Sequence, residues 1–483
     1  MQPIAIQRIL GILLMLFSIT MLPPIFVSLI YEDGGRAAFA AAFLLTFSTG
    51  LVCWLPVHRS RRELRLRDGF LVVVLFWTVL GLFGALPLAL HDDLGMSFTD
   101  AAFESISGLT TTGATVITGL DQLPHSILYY RQQLQWLGGM GIIVLAVAIL
   151  PMLGIGGMQL YRAETPGPMK DSKLTPRITE TAKALWYIYL GLTVMCALGY
   201  WLAGMNGFDA IGHSFSTIAI GGFSTHDASI GFFDSTLIEA VAILFMLLAG
   251  MNFALHFIAW RSFSVVVYLK DSEARFYLGL LLFIALITSA YLYFSGNISN
   301  PMEAVEHALF QTVSIGTTTG FTTTGYATWP GLLPVLLLFV SFVGGCAGST
   351  GGGMKVIRFI LLLKQGFREL SRLVHPSAQI PVKIGNKAMP DRVINSVWGF
   401  FSAYVALFVI IMLILMALGM DQVTAFSAVA ACMNNLGPGL GDVAAHYGDI
   451  GDVAKWVLCF AMLLGRLEIF TLLVLLTPMF WRK

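Results

Sequence analysis

The chain has 483 residues, of which 57% are hydrophobic and 11% charged, less than half the roughly 25% charged residues of a soluble domain. Its formal net charge of +1 excludes a strongly basic nucleic-acid binder. Soluble, disordered and collagen-like chains are excluded by the apolar runs, and an all-α polytopic membrane protein is what remains.

The runs fall near residues 4–30, 37–57, 69–90, 133–160, 183–204, 234–260, 276–295, 329–363, 393–419 and 452–480. Each reaches the length, about 20 residues, that crosses a hydrocarbon core. The first is too long for a signal-peptide core and has no small-residue cleavage pattern. It reads as a first membrane helix, bent at Pro23-Pro24 where backbone donors are missing. Basic residues then sort by loop. Arg59, Arg61, Arg62, Arg65 and Arg67 share one; Arg162, Lys170, Lys173, Arg177 and Lys183 fill the next; Arg261, Lys270 and Arg275 mark a third. Lys364, Arg368, Arg372, Lys383, Lys387 and Arg392 mark a fourth, and Arg482-Lys483 stand last. The positive-inside rule makes these loops cytoplasmic, and ten spans then place both termini inside. Opposite loops hold few bases (Arg36, Arg131, Lys455) and many acids, among them Asp100, Asp121, Asp209, Asp227 and Asp421. Such acids serve as helix caps or raise the local cation concentration at an outer mouth.

The outer loops also contain four half-length apolar stretches, each followed by a Gly/Thr-rich segment. They run from Ala101 to Gly113, Ile211 to Gly222, Val305 to Gly320 and Ala425 to Gly437, so the glycines stand 109, 98 and 117 residues apart. This is an internal repeat of span, half-helix, loop and span. A loop at membrane depth is tolerated where protein buries it or where it lines a water-filled path. Each half-helix would aim its carbonyl-negative end at the bilayer centre, and the loop after it would offer backbone carbonyls as replacement hydration for a cation. Glycine supplies positive φ and close approach. Thr hydroxyls behind the backbone can brace it.

Below these loops, the span near 329 is interrupted by residues 344–353, six of them glycine, followed by Met354-Lys355; a regular helix there costs nearly 1 kcal/mol per Gly relative to Ala. The last span carries Arg466 and Glu468, and intramembrane charges face protein or water. No phosphate-binding G-x-x-x-x-G-K-[ST] is present. Five scattered cysteines form no C-x-x-C pair, so neither a disulfide framework nor a zinc site is suggested. His213, His226, His256 and His307 share no metal-ligand spacing. With no convergent nucleophile site within the spans, an enzyme is not expected.

The four-fold plan resembles the Trk/Ktr/HKT superfamily of potassium transporters, and within it the TrkH branch, whose two extra spans match the segment 1–67. The segments carrying the resemblance are Leu109-Thr110-Thr111-Thr112-Gly113, Ile218-Ala219-Ile220-Gly221-Gly222, Gly316-Thr317-Thr318-Thr319-Gly320 and Asn434-Asn435-Leu436-Gly437. It implies pore repeats at 68–165, 166–265, 266–375 and 376–483 around a pseudo-four-fold pore, in a bacterial inner (plasma) membrane. A K⁺ filter would comprise Thr111, Thr112, Gly113, Ile220, Gly221, Gly222, Thr318, Thr319, Gly320, Asn435, Leu436 and Gly437. A gate would comprise Gly344, Gly345, Gly348, Ser349, Thr350, Gly351, Gly352, Gly353 and Lys355, with Arg466 as an electrostatic barrier. In plant relatives Gly at the first filter position goes with potassium and Ser with sodium, so Gly113 favours K⁺. Loops two and four lack the Thr triplet, which leaves sodium or mixed-cation permeation, or Na⁺-coupled uptake, as the alternative. K⁺ is the permeant ion, and no cofactor is expected. The implied partners are membrane lipid, a second copy in a homodimer and a cytoplasmic nucleotide-binding regulatory subunit.

Overall fold

The computed structural model describes residues 1–60, 65–141, 178–385 and 387–482. The expected basic residues Arg61, Arg62, Arg162, Lys170, Lys173, Arg177 and Lys483, and the second half of the run 133–160, lie outside them.

Counting helices of seven residues and more, three precede the repeats: α1 (Pro3–Ile19), α2 (Leu22–Tyr31) and α3 (Arg36–Trp54). The first span breaks at Thr20-Met21, so Pro23 and Pro24 fall in the opening turn of α2, where a missing N–H costs nothing. α1 crosses α3 with backbone against backbone: a Cβ on Gly11 would stand 2.7 Å from Gly50 O, the small-residue packing that membrane helices use.

Repeat one contains α4 (Leu66–Gly84), the pore helix α5 (Phe98–Leu109) and α6 (His125–Gly139). Repeat two contains α7 (Ile178–Leu202), the pore helix α8 (Gly207–Ala219), α9 (Thr236–Ala249) and α10 (Phe253–Ser262). Repeat three contains α11 (Ser272–Phe294), the pore helix α12 (Pro301–Thr317), α13 (Leu333–Val343) and α14 (Val356–Val374). A two-residue antiparallel pairing, Lys383–Ile384 with Lys387–Ala388, leads to repeat four. That repeat contains α15 (Asp391–Ala417), the pore helix α16 (Gln422–Met433), α17 (Asp452–Arg466) and α18 (Phe470–Leu476). Among the described residues six single helices or helix runs are long and apolar enough to cross a membrane, and the pairs α9–α10 and α17–α18 reach that length and apolarity only together, each bent, by 98° and 118°.

Those bends correct the expectation of continuous helices over 234–260 and 452–480. The first falls at residues 250–252, where Asn252 caps α10 by accepting from Ala254 N at 2.8 Å. The second falls at Leu467-Glu468-Ile469, with Glu468 and Ile469 at positive φ. Arg466 therefore ends a helix instead of sharing one with Glu468.

All four pore helices begin alike. Ser97, Asn206, Asn300 and Asp421 each occupy the N-cap and accept from a backbone N–H of the first turn, satisfying donors that the helix leaves orphaned. Asp100, Asp209 and Asp421, read from the sequence as cap candidates, stand in or beside these first turns.

Candidate functional site: four loops closing a ring above residues 344–355

The pore helices also end alike. Thr111, Ile220, Thr318 and Asn435 follow the four C-termini in the left-handed region, with φ of 56°, 55°, 71° and 53°. The next residue in each donates its N–H back into the helix: Thr112 to Ser107 O, Gly221 to Ser216 O, Thr319 to Ser314 O and Leu436 to Ala431 O, all at 2.8 Å. These are matching Schellman-type ends. Gly113, Gly222, Gly320 and Gly437 come next, again at positive φ (80°, 79°, 82° and 96°). A left-handed residue at every second position turns successive carbonyls toward one side of the strand, unlike an extended chain, where they alternate. No glycine occupies the first left-handed site, so each loop holds a conformation that ordinary residues avoid.

The loops meet in chain order. A Cβ on Gly113 would strike Gly221 O, one on Gly222 would strike Thr319 O, and one on Gly320 would strike Leu436 O. One on Gly437 would stand 2.7 Å from Thr112 O, which closes the ring. Each glycine backbone thus lies against the carbonyl preceding the glycine of the next repeat. This is why no side chain can stand there.

Under the ring lie residues 344–355, with no regular helix between α13 and α14. Thr350 Oγ1 donates to Ile218 O of repeat two at 2.9 Å. Gly352 N donates to Thr318 Oγ1 of repeat three at 2.7 Å, and Gly353 N to Asn434 O of repeat four at 3.0 Å. Arg466 completes the set: Nη1 reaches Thr111 Oγ1 of repeat one (3.2 Å) and Thr350 O (3.3 Å), and Nη2 donates to Gly138 O (2.5 Å). Lys355 Nζ folds back on Gly351 O. Gly344, Gly345, Gly348 and Ser349 form the descending limb, where Cys346 N donates to Gly250 O at 2.8 Å and Gly348 O accepts from Phe253 N at 3.0 Å. The bend between α9 and α10 is therefore a seat for this loop. Hydrogen bonds thus join residues 350–353 and Arg466 to the loops or pore-helix ends of all four repeats.

A family model described as TrkH, cation transport protein, matches residues 35–483. The chain belongs to the TrkH family. It is 62% identical over 478 residues to the Trk system potassium uptake protein TrkH of Halomonas elongata, covering 99% of both chains. It is 57% identical to the protein of that name from Escherichia coli K12, again over 99% of each. The crystal structure of the potassium transporter TrkH from Vibrio parahaemolyticus superposes with a TM-score of 0.91 at 59% identity, with 100% of both chains covered. This TrkH-family chain is a multi-pass membrane transport protein and not an enzyme.

Several residues of the site carried no signal in the sequence. Arg131, counted there as an outer-loop base, lies on α6 with its side chain buried, Nε 2.7 Å from the buried Glu104 Oε1. Glu273, at the start of α11, accepts at Oε1 from Ala347 N (2.8 Å), in the first part of the intramembrane loop, and from Ile357 N (3.1 Å), just past its end. Arg358, on α14, pairs with Glu468 and lies 4.3 Å over the Phe400 ring. Each joins residues 27 to 110 positions apart, which no local spacing reveals. Among the described residues no group of three or more His, Cys, Asp or Glu side chains could hold a metal. His213 instead bonds Asp209 O and Ser224 Oγ, both at 2.9 Å.

Proposed function

We propose that the chain is a potassium-selective uptake channel or transporter subunit of a bacterial inner membrane, passing K⁺ through backbone carbonyls of the four loops at Gly113, Gly222, Gly320 and Gly437. The observation that carries this reading is the closed ring: four loops of one conformation pack glycine to carbonyl around one centre, beneath four pore helices whose carbonyl-negative ends converge there. The relatives' names, potassium uptake proteins, support K⁺ as the ion. Residues 344–355 act as the gate: they lie under the ring and hydrogen-bond to the loops or pore-helix ends of repeats two, three and four. Arg466 places a fixed positive charge in the path of a cation at that level. The remainder of the reading follows the family plan: four pore repeats after two N-terminal spans, both termini in the cytoplasm, a homodimer, and a cytoplasmic nucleotide-binding partner that opens the gate.

The test is isotope flux into liposomes holding the purified protein, with and without the cytosolic partner and nucleotide. Rb⁺ or K⁺ should enter and Na⁺ compete weakly, and Gly113→Ser should shift the competition toward Na⁺. Absence of Rb⁺ flux with partner and nucleotide present overturns the reading.

A further inference from the structure

Loops one and three brace themselves. Thr110 Oγ1 and Thr112 Oγ1 hydrogen-bond at 2.8 Å, and Thr317 Oγ1 and Thr319 Oγ1 at 2.7 Å, in each case behind the left-handed residue. At the matching positions loop two has Ala219 and Gly221, which own no hydroxyl. Yet this loop takes the same left-handed pair, at Ile220 and Gly222. Something outside the loop must hold it.

The neighbouring repeat supplies that support. α6 turns three buried polar side chains, Arg131, Gln132 and Gln135, toward loop two. Gln135 brackets Gly222: its Nε2 donates to Gly221 O at 2.5 Å and its Oε1 accepts from Phe223 N at 3.0 Å. One turn earlier, Arg131 Nη1 donates to Ser224 O at 3.1 Å, with the guanidinium 4.3 Å over the Phe223 ring. The Arg131 charge is met by Glu104, which also accepts from Val116 N (3.0 Å) and Thr115 Oγ1 (2.9 Å), residues just past Gly113. A single buried network therefore ties the limbs above Gly113 and Gly222 together. The two kinds of brace exclude each other: a Cβ on Gly221 would strike the carboxamide of Gln135.

We propose that Gln135, backed by the Arg131–Glu104 pair, is the positioning set that replaces the missing Thr pair of loop two, and that it sets how strongly the ring discriminates K⁺ from Na⁺. The proposal rests on the filter reading above. Without Gln135, Gly221 O and Phe223 N are left buried and unsatisfied, a costly state that a shift of the loop relieves. A ring with one loosened loop can contract around the smaller ion, so Na⁺ gains most.

The experiment is Rb⁺ uptake, competed by Na⁺, in cells whose other potassium uptake systems are deleted. Gln135→Leu should keep uptake at high K⁺ but let Na⁺ compete at about five- to tenfold lower concentration, the size of losing one net hydrogen bond. Gln135→Asn, which keeps a carboxamide but falls short of both backbone groups, should shift the same way and serves should the leucine variant fail to reach the membrane. Combining Gln135→Ala with Ala219→Thr and Gly221→Thr gives loop two the brace of its neighbours and should restore most of the discrimination. Gln133→Leu, on the same helix but bonded to Thr20 O at 2.7 Å, should leave competition unchanged. Unaltered Na⁺ competition in both Gln135 variants, or an equal shift in Gln133→Leu, overturns the positioning role, and failure of the triple variant to recover discrimination overturns the replacement. A wild-type protein that takes up no Rb⁺ instead refutes the filter reading itself.

Discussion

Arg466 donates through Nη1 to the Thr350 carbonyl, 3.3 Å away, and so ties the end of the last repeat's broken span to the loop that interrupts the third. The same nitrogen reaches Thr111 Oγ1 beneath the ring, and Nη2 holds Gly138 O. Bonds from a charged donor contribute about 1.5–3 kcal/mol each, and losing one of them shifts a closed-to-open balance about tenfold or more. Arg466→Ala should therefore raise flux measured without the regulatory partner by about tenfold, with Arg466→Lys, which loses the fork but keeps the charge, in between. Partner-free flux equal to wild type in Arg466→Ala, at matched expression, would remove this residue from the gating account.

Gly352 offers a test of the same seat without touching a charge. A Cβ there would strike Asn434 O, and the Thr318 hydroxyl already holds the Gly352 N–H at 2.7 Å. Overpacking a fixed contact costs about 1–3 kcal/mol. The Gly352→Ala loop cannot seat fully, so partner-free flux should rise in the same direction as for Arg466→Ala. Gly279→Ala on α11, where nothing lies within 4 Å of the added methyl, should leave flux unchanged. If Gly352→Ala gives the same partner-free flux as Gly279→Ala, the loop does not close the path.

The four-fold plan was legible because it is written locally: an N-cap, a half-length apolar stretch and a glycine recur at near-constant spacing, and the intramembrane loop declares itself through six glycines in ten residues. The breaks in the second and fourth repeats were not. Gly250-Met251-Asn252 and Leu467-Glu468-Ile469 sit inside longer apolar runs, and their partners are tertiary: Gly250 O takes the Cys346 N–H of the third repeat, and Glu468 pairs with Arg358. Loop two shows the same limit. Ala-Ile-Gly-Gly looked like a poor copy of Thr-Thr-Thr-Gly, because its brace stands on α6, 86 residues away in sequence.

His226 joins two outer segments: its Nδ1 faces Asp121 Oδ1 at 2.5 Å and its Nε2 faces Asp209 Oδ2 at 3.3 Å, while the ring stacks on Phe232. Burial lowers its pKa, but the bonds to Asp209 and Asp121 more than reverse this and raise it above 6.5. A raised folded-state pKa gives stability that is fully present below the unfolded value and lost as pH rises through the folded one. Melting temperature in detergent should fall as pH climbs upward from about 6.5, and His226→Gln should flatten that slope. Identical pH profiles for the two proteins would show that the charged form contributes nothing.

Glu273 is a further restraint on the loop, and it comes from the side that the basic residues assign to the cytoplasm. One oxygen takes the N–H groups of Ala347 and Ile357, so the loop's entry and the first turn of α14 are pinned to the start of α11. A carboxylate in a helix's first turn is favoured by the exposed N–H groups there, and two further backbone donors fix where it points. Because α11 follows directly from the segment holding Lys270 and Asp271, a displacement of that segment would pull on both pinned points together. Glu273→Ala removes the acceptor and should act twice: partner-free flux rises, and the further gain on adding partner and nucleotide shrinks. Glu273→Gln keeps one acceptor oxygen without its charge and should fall between. A variant with raised basal flux and an undiminished response would mean that Glu273 holds the loop without relaying anything to it, and a variant matching wild type in both would mean that the two hydrogen bonds are incidental to gating.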